Sequence, residues 1–221
     1  MARGAIRGKW KALHFAARRF FAPLLLSAHV PGEEKTHIGN SVQSTIGEVH
    51  LHTVYDGLKK TSGVIRWSLV HLDGRVLETG EKRVALRPDE AKRQKTLDFT
   101  NAMKTHGARN IYLRIGLQTD DGQFSGGTVF LTAPRFMELP KDPISLEVAA
   151  VSGDTFDLTF TSPAFHHQVQ FEIEGRPHKT LDNFFELYPN EPHTVRVVTR
   201  KPTTAAKLKR AVTLRSLSGS Y

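Results

Sequence analysis

The sequence predicts a mainly β chain, in which two immunoglobulin-like β-sandwich domains are preceded by one N-terminal α-helix. Helical periodicity is confined to the first two dozen residues, whereas strand-like segments separated by turn residues fill the rest. A stretch with three prolines at residues 134–143 divides these segments into two sets. We therefore expect three parts: the helix within residues 1–22, a sandwich over residues 23–138, and a smaller sandwich with a basic tail over residues 139–221.

The N-terminal helix is predicted over residues 9–21. Four apolar residues recur at helical spacing and share one face: Trp10, Leu13, Ala17 and Phe20. Pro23 ends the helix, because an interior proline loses a hydrogen bond and clashes with the preceding turn. Basic residues precede the apolar run 20–28, so a targeting peptide is an alternative interpretation of this segment.

The first sandwich is predicted from about seven strands between residues 24 and 134. Asp73-Gly74 and Asp120-Asp121-Gly122 are hairpin turns, because Asp and Gly tolerate the backbone angles that such turns require. The predicted strands are residues 24–30, 49–55, 64–72, 76–84, 96–99, 111–119 and 123–131.

A second set of strands predicts the smaller sandwich after the proline-rich linker. Its members are residues 144–151, 154–161, 169–173, 184–187, 193–199 and 212–217. Two further segments, residues 32–47 and 200–210, are rich in Gly, Ser, Thr or Lys, and we predict that both are mobile.

The charge distribution argues against a nucleic-acid partner despite the formal net charge of +9. Residues 1–22 and 200–221 each carry six basic residues and no acid, which leaves 19 basic and 22 acidic residues between them. Two basic ends on a faintly acidic body do not form a continuous binding stripe.

Composition excludes several other classes. No apolar run reaches the ~18 residues that a membrane-spanning helix needs, so we expect no membrane partner. The chain has no cysteine, which excludes disulfides, thiol catalysis and Cys-ligated zinc. It also has no Asn-x-Ser/Thr sequon, and both absences are compatible with a bacterial cytoplasm or periplasm.

The candidate chemical motifs are weak. His50 and His52 project from one face of a strand, but a metal site needs further ligands. The acidic pairs at 33–34 and 120–121 lie in predicted loops rather than facing each other as glycosidase carboxylates do. The glycine-rich residues 122–127 open a strand and not a phosphate-binding helix. We therefore predict no catalytic residue, no metal site and no cofactor.

Aromatic side chains are the remaining candidates for ligand binding, because they can stack on sugar rings. The candidates are Trp10, Tyr55, Trp67, Phe136 and Phe165. Trp67 lies within a predicted strand, where sandwich domains place a core tryptophan, and we predict that it is buried. Trp10 belongs to the apolar face of the helix.

Three segments resemble the C-terminal region of β-mannosidase-like enzymes of glycoside hydrolase family 2. Residues 10–29 read WKALHFAARRFFAPLLLSAH and closely resemble the last helix of the catalytic barrel, which continues into the next domain. Residues 181–197 read LDNFFELYPNEPHTVRV and resemble the near-terminal Asp-Asn-aromatic-aromatic run before a Pro-containing turn. Residues 48–74 are similar to the immunoglobulin-like domain after the barrel, so the likeness covers most of residues 9–199.

The resemblance implies a retaining exo-glycosidase that removes terminal β-linked sugars, typically mannose, with two glutamates on barrel strands. Because those strands would precede this region, we expect both glutamates and the sugar pocket to be missing. The residues that match the family have a structural role: Trp10, Asp182, Asn183, Phe184 and Phe185. Asp182 and Asn183 would form a turn, and the two phenylalanines would anchor the last sandwich. The helix, whose aromatic face would close a barrel, would be left without its neighbour.

These observations predict that the chain is a non-catalytic accessory region of a β-mannosidase-type exo-glycosidase that acts on terminal β-mannosides. Its expected partner is the catalytic barrel, either of the same parent enzyme or as a separate subunit. The alternative is a free-standing carbohydrate-binding or adhesion module whose ligand would be a β-mannoside. That alternative requires exposed, coplanar aromatic rings.

Overall fold

The computed structural model describes residues 10–31 and 47–220. The chain forms two compact units, which we call the central unit, Phe21–Leu139, and the C-terminal unit, Met1–Phe20 with Pro140–Tyr221. The N-terminal helix α1 (Ala12–Phe20) therefore belongs with the C-terminal sandwich, from which it is separated in sequence by the whole central unit. Both units consist mainly of antiparallel strands, which confirms the predicted fold class.

The central unit is a sandwich of two antiparallel sheets, with strand orders β1-β2-β5 and β4-β3-β6-β7. Its elements are β1 (Leu24–His29), β2 (Glu48–Tyr55), β3 (Thr61–His71), β4 (Val76–Leu86), β5 (Glu90–Asp98), α2 (Thr100–His106), β6 (Ile111–Thr119) and β7 (Phe124–Phe130). Both predicted hairpins are present, and the turn residues Gly74 and Gly122 have φ angles of 91° and 90°.

Alternation of apolar and polar residues places the core of the central unit between its sheets. In β2, Val49 and Leu51 point inward and are fully buried, while the intervening histidines are only half-buried. Trp67 is buried in the same core, which confirms its prediction as a core residue.

Strand β5 begins before the predicted strand 96–99, and the prediction missed its first half because that half lacks an apolar pattern. The residue that points inward there is the polar Gln94, whose Nε2 donates to Thr53 Oγ1 at 2.8 Å. A buried side-chain hydrogen bond thus takes the place of hydrophobic burial, which sequence periodicity does not register.

The C-terminal unit is a smaller sandwich with strand orders β12-β10-β14 and β11-β13-β9-β8. Besides α1, its elements are β8 (Ser145–Ser152), β9 (Thr155–Thr161), β10 (His166–Ile173), β11 (His178–Thr180), β12 (Phe185–Leu187), β13 (His193–Thr199), α3 (Ala205–Ala211) and β14 (Val212–Arg215). Its core contains Phe156, Phe160, Phe171 and Phe185.

The prediction that residues 200–210 are mobile is wrong for residues 205–210, because they belong to helix α3, which ends at Ala211. Thr204 Oγ1 caps this helix by accepting from the Lys207 backbone N–H at 3.3 Å, and Leu208 is fully buried. One buried leucine among lysines and alanines gives too short a pattern to predict a helix. Most of the other segment that we predicted to be mobile, residues 32–46, lies outside the described residues.

Within the part of the chain that the structure describes, no helix has the length and apolar character needed to cross a membrane.

Replacing the central phenylalanine of the C-terminal core should destabilise the protein strongly. Phe160 is fully buried, and its ring lies 5.5 Å from that of Phe171 and 5.2 Å from that of Phe185. We expect Phe160→Ala to lower the free energy of unfolding by ~3–5 kcal/mol in urea unfolding, because it leaves a cavity. Val76→Ala, at a residue 59% exposed in the central unit, should change it by less than ~0.5 kcal/mol. Equal effects of both changes would contradict this assignment of the core.

Candidate functional site: a helix clamp in the C-terminal unit

Helix α1 has one docked face and one exposed face. Phe15 is only 4% exposed, and its ring centre lies 5.9 Å from that of Phe184. Two residues of the predicted apolar stripe lie on the far side and are exposed: Leu13 by 70% and Phe20 by 43%. Trp10, just before the helix, is 51% exposed, and its ring centre lies 5.6 Å from that of Phe15. The helix is therefore not left entirely without a neighbour, because it packs on the C-terminal sandwich through a residue outside the predicted stripe.

Two arginines in the last turn of α1 bind backbone carbonyls of residues 181–184, the loop between β11 and β12. Arg18 Nη1 donates to Leu181 O at 2.7 Å. Arg19 donates to Phe184 O through Nη1 and to Asn183 O through Nη2, both at 3.0 Å. The planar guanidinium suits this role, since it carries several donors in a fixed arrangement. We call these contacts, together with those of Asp182, the helix clamp.

Asp182 joins the helix to the sandwich. Its Oδ1 accepts from Arg19 Nη2 at 2.6 Å, and its Oδ2 bonds to His193 Nε2 at 3.0 Å. Burial raises the pKa of Asp182, but the hydrogen bonds from His193 and Arg19 outweigh this effect, so the pKa is lower than usual. The carboxylate therefore stays charged and holds both partners.

Asn183 is buried and replaces a missing strand contact. Its Nδ2 donates to Phe171 O at 2.9 Å, and its Oδ1 accepts from the Phe171 backbone N–H at 3.1 Å. The same oxygen accepts from Phe184 N at 3.0 Å. Pairing of β10 with β12 stops at Val169 and Phe185, so the amide side chain satisfies the backbone of Phe171.

The two phenylalanines point in different directions. Phe184 has a φ of 56°, in the left-handed region, and this turn presents its ring to Phe15 on α1. Phe185 is buried in the core, where its ring stacks on His193 with 4.0 Å between centres. Phe184 thus contacts the helix, whereas Phe185 packs in the core of the sandwich.

The other candidate motifs do not form a reactive site. His50 and His52 have ring centres 6.3 Å apart, and His29 lies 5.8 Å from His50. Even so, residues 10–31 and 47–220 contain no group of three or more His, Cys, Asp or Glu residues that could hold a metal ion. Asp120 forms an ion pair with Arg83, and Asp121 accepts a hydrogen bond from the Thr119 hydroxyl in the same turn. The acidic pair at 33–34 lies outside the described residues.

The aromatic candidates do not form an exposed platform. Tyr55, Trp67 and Phe165 are buried, Phe136 is half-buried, and only Trp10 is exposed. The coplanar rings required by a carbohydrate-binding surface are therefore not found among these five.

Ser162 and His166 form a buried pair that no sequence pattern predicted. Ser162 Oγ lies 2.9 Å from His166 Nε2 and also accepts from Ala164 N at 3.2 Å. His166 Nδ1 has no hydrogen-bond partner among the described residues. Burial lowers the pKa of His166, although Asp142 opposes this effect. Both residues are buried, so the serine is not accessible to a substrate.

Removing the side chain of Asn183 should destabilise the C-terminal unit. Asn183→Ala leaves the N–H and C=O of Phe171 buried without partners, so we expect a loss of about 1–3 kcal/mol in the free energy of unfolding. Asn183→Asp should also destabilise, because the carboxylate cannot donate to Phe171 O. Asn101→Ala, at an exposed position on α2, is the control, and urea unfolding is the measurement. An unchanged stability of Asn183→Ala would contradict the proposed role of the amide.

His166 should make the protein less stable at acidic pH. The unfolded chain binds a proton at this residue near pH 6.5, whereas the folded state resists it because its pKa is lowered. The contribution of neutral His166 to the free energy of unfolding is therefore fully present at neutral pH, and it is lost as the pH drops below ~6.5. In urea unfolding at neutral and mildly acidic pH, His166→Gln should lose this part of the pH dependence. Ser162→Ala, in which the histidine stays buried, should retain it. A difference between wild type and His166→Gln that is the same at every pH would show that His166 does not titrate in this way.

Comparisons with known proteins agree with this architecture. A family model described as a mannosidase Ig/CBM-like domain matches residues 47–135, and one described as an Ig-fold domain of mannosidases matches residues 139–220. Beta-mannosidase from Rattus norvegicus is 29% identical over 97% of this chain. The chain spans about a quarter of that relative's length, 24%.

Solved structures share the fold. Beta-D-mannosidase from Dictyoglomus thermophilum superposes with a TM-score of 0.72 at 16% identity, over 95% of this chain and 23% of its own. The exo-chitosanase from Amycolatopsis orientalis gives a TM-score of 0.54 at 13% identity, over 92% of this chain and 26% of its own. The two family models match consecutive parts of the sequence, and each corresponds to one of the two sandwiches. The chain thus carries two immunoglobulin-like domains of the kinds that these two mannosidase family models describe.

Proposed function

We propose that this chain is the non-catalytic C-terminal accessory region of a β-mannosidase-type exo-glycosidase that acts on terminal β-mannosides. Its role is to support the catalytic barrel, which is either part of the same polypeptide or a separate subunit. The observation that carries the proposal is that α1 is clamped on one side and leaves Leu13 exposed on the other.

The exposed stripe of α1 suits an apolar partner. Burying a leucine or a larger apolar side chain is worth ~1.5–3 kcal/mol, and this stabilisation is forgone while Leu13 is 70% exposed. The helix clamp holds the helix in place, so that a partner would meet a preformed surface. A preformed surface reduces the entropy that is lost on binding.

The carboxylates of the described residues support an accessory role. A glycosidase needs two carboxyl groups that face one sugar across ~5–9.5 Å. Several of the acids instead form ion pairs with arginine: Asp73 with Arg75, Asp120 with Arg83, Asp157 with Arg196 and Asp182 with Arg19. These four carboxylates stabilise a turn, contacts between strands and the helix clamp.

The proposal predicts that the purified chain has no glycosidase activity of its own. Incubation with an aryl β-mannoside should release no aryl alcohol above the uncatalysed rate, measured by absorbance. Turnover that survives purification, and is lost on heat denaturation, would overturn the non-catalytic assignment.

The proposal also predicts binding to a catalytic barrel through α1. The probe is the rat β-mannosidase without the quarter that this chain matches, and the measurement is binding to the immobilised chain. Leu13→Ser should weaken binding by roughly tenfold or more, since a buried leucine is lost from the contact. Val76→Ser, which removes an exposed apolar side chain from the central unit, is the matched control and should bind as wild type does. Retarded migration of the chain in mannan, without binding to the barrel, would favour the carbohydrate-binding alternative instead.

A further inference from the structure

An exposed aromatic ring lies on the outer face of the sheet β4-β3-β6-β7 in the central unit. Phe124, the first residue of β7, is 68% exposed and is not one of the five aromatic candidates found in the sequence. Its cross-strand partner on β6 is Gln118, which is also exposed and whose Nε2 donates to Gln123 O at 3.1 Å. Single exposed apolar residues are common on protein surfaces, so the surroundings of the ring must show whether it has a function.

Two glycines allow the ring of Phe124 to lie along the sheet. A Cβ built on Gly126 would lie 2.9 Å from Phe124 Cζ, and one built on Gly116 would lie 3.2 Å from Phe124 Cε2. These glycines are cross-strand partners in β7 and β6, so the distal half of the ring occupies the space where their side chains would stand. Shielding a glycine backbone is a structural role for such a ring. The neighbouring side chains decide whether it also binds a ligand.

A pair of oppositely charged side chains lies in the same row of the sheet as the two glycines. The strand register aligns, from β4 to β7, the residues Glu81, Arg66, Gly116 and Gly126. Arg66 Nε donates to Glu81 Oε2 at 3.2 Å, and both side chains are exposed. Because neighbouring strands are about 4.8 Å apart, Arg66 lies one strand spacing from Gly116 and Glu81 lies two. The ring and the ion pair therefore share one continuous surface.

An aromatic ring beside an electrically neutral Arg–Glu pair suits a sugar. A pyranose has an apolar face of axial C–H bonds, which stacks on an aromatic face because that face carries partial negative charge. Its hydroxyls both donate and accept, so they can bond to the guanidinium of Arg66 and to the carboxylate of Glu81. That carboxylate would repel the phosphate of a nucleotide. A protein partner fits less well, because charged residues are depleted at the centres of protein interfaces.

We propose that Phe124, Arg66 and Glu81 form a sugar-binding site on the central unit, in which a β-linked pyranose stacks on the ring and the ion pair binds its hydroxyls. In a β-mannoside the anomeric oxygen is equatorial, and the axial hydrogens of three ring carbons share one uninterrupted face. In an α-mannoside the axial anomeric oxygen interrupts that face. The site therefore prefers β-linked to α-linked mannose. The choice of mannose rests on the proposed function, whereas the stacking geometry does not.

The test measures the Kd of a β-linked mannohexaose for the full chain by isothermal titration calorimetry. Phe124→Ala should weaken binding by roughly tenfold or more, because the stacking surface is lost. Phe124→Trp, which keeps an aromatic ring, should bind within about threefold of wild type. Phe21→Ala is the matched control, because it removes a ring that is 81% exposed from the same unit, and it should bind as wild type does. An α-linked mannohexaose should bind wild type at least roughly tenfold more weakly.

A second variant separates ligand binding from the shielding of the glycines. Arg66→Ala leaves the ring of Phe124 in place and changes an exposed position. It should unfold at the same urea concentration as wild type but weaken sugar binding by roughly threefold or more, since the donor to the sugar hydroxyls is lost. Wild-type affinity in Arg66→Ala would overturn the assignment of the ion pair, even if Phe124→Ala proved unstable.

The outcomes for the sugar site are distinct from those for the proposed function. If wild type does not bind the β-linked mannohexaose, or if Phe124→Ala binds it as wild type does, the sugar site is overturned. The accessory role is then still decided by binding to the barrel, which depends on Leu13. Equal affinity for the α-linked and β-linked sugars would also overturn the site, because stacking on the uninterrupted face requires a difference. If the chain binds the sugar through Phe124 but does not bind the barrel, the sugar site stands and the proposed function is overturned.

Discussion

The guanidinium of Arg19 is the interaction on which the arrangement of the C-terminal unit depends. It binds Asp182 and two carbonyls of the loop that follows β11, and it thereby attaches α1 to a sandwich that lies more than 160 residues later in the sequence. The ion pair alone does not explain this attachment, since an exposed pair contributes only ~0–1 kcal/mol and Arg19 is 46% exposed. The carbonyl hydrogen bonds and the burial of Phe15, worth ~1.5–3 kcal/mol, supply the larger share.

A helix that packs on its own domain through one face can contact a second neighbour through the other. The docked face of α1 consists of an aromatic ring and two arginines, whereas its other face exposes Leu13 and Phe20. Under the proposed function, a catalytic barrel that covered the exposed face would be coupled to the C-terminal sandwich through nine helical residues, Ala12–Phe20. Loss of the helix clamp would weaken that coupling.

The sequence predicted most strands and the turns between them, because alternation and Asp-Gly pairs are local signals. It did not predict the first half of β5, where Gln94 is buried, or α3, which buries a single leucine. Nor could the sequence predict which face of α1 packs on the sandwich. Both faces of the helix carry apolar residues, and the choice between them depends on Asp182, which is distant in the sequence. Contacts of this range leave no periodic pattern that a reading of the sequence can detect.

The Asp-Asn-Phe-Phe run shows why a motif can mark a junction rather than a reactive site. Asp182 must be charged to hold Arg19, and Asn183 must both donate and accept to satisfy Phe171. Phe184 must tolerate a left-handed φ of 56° and still present a ring, while Phe185 must fill the core. These four requirements differ, and none of them involves a substrate. The run therefore acts together with Arg19, because the carboxylate of Asp182 attaches α1 to the sandwich only when that guanidinium is present.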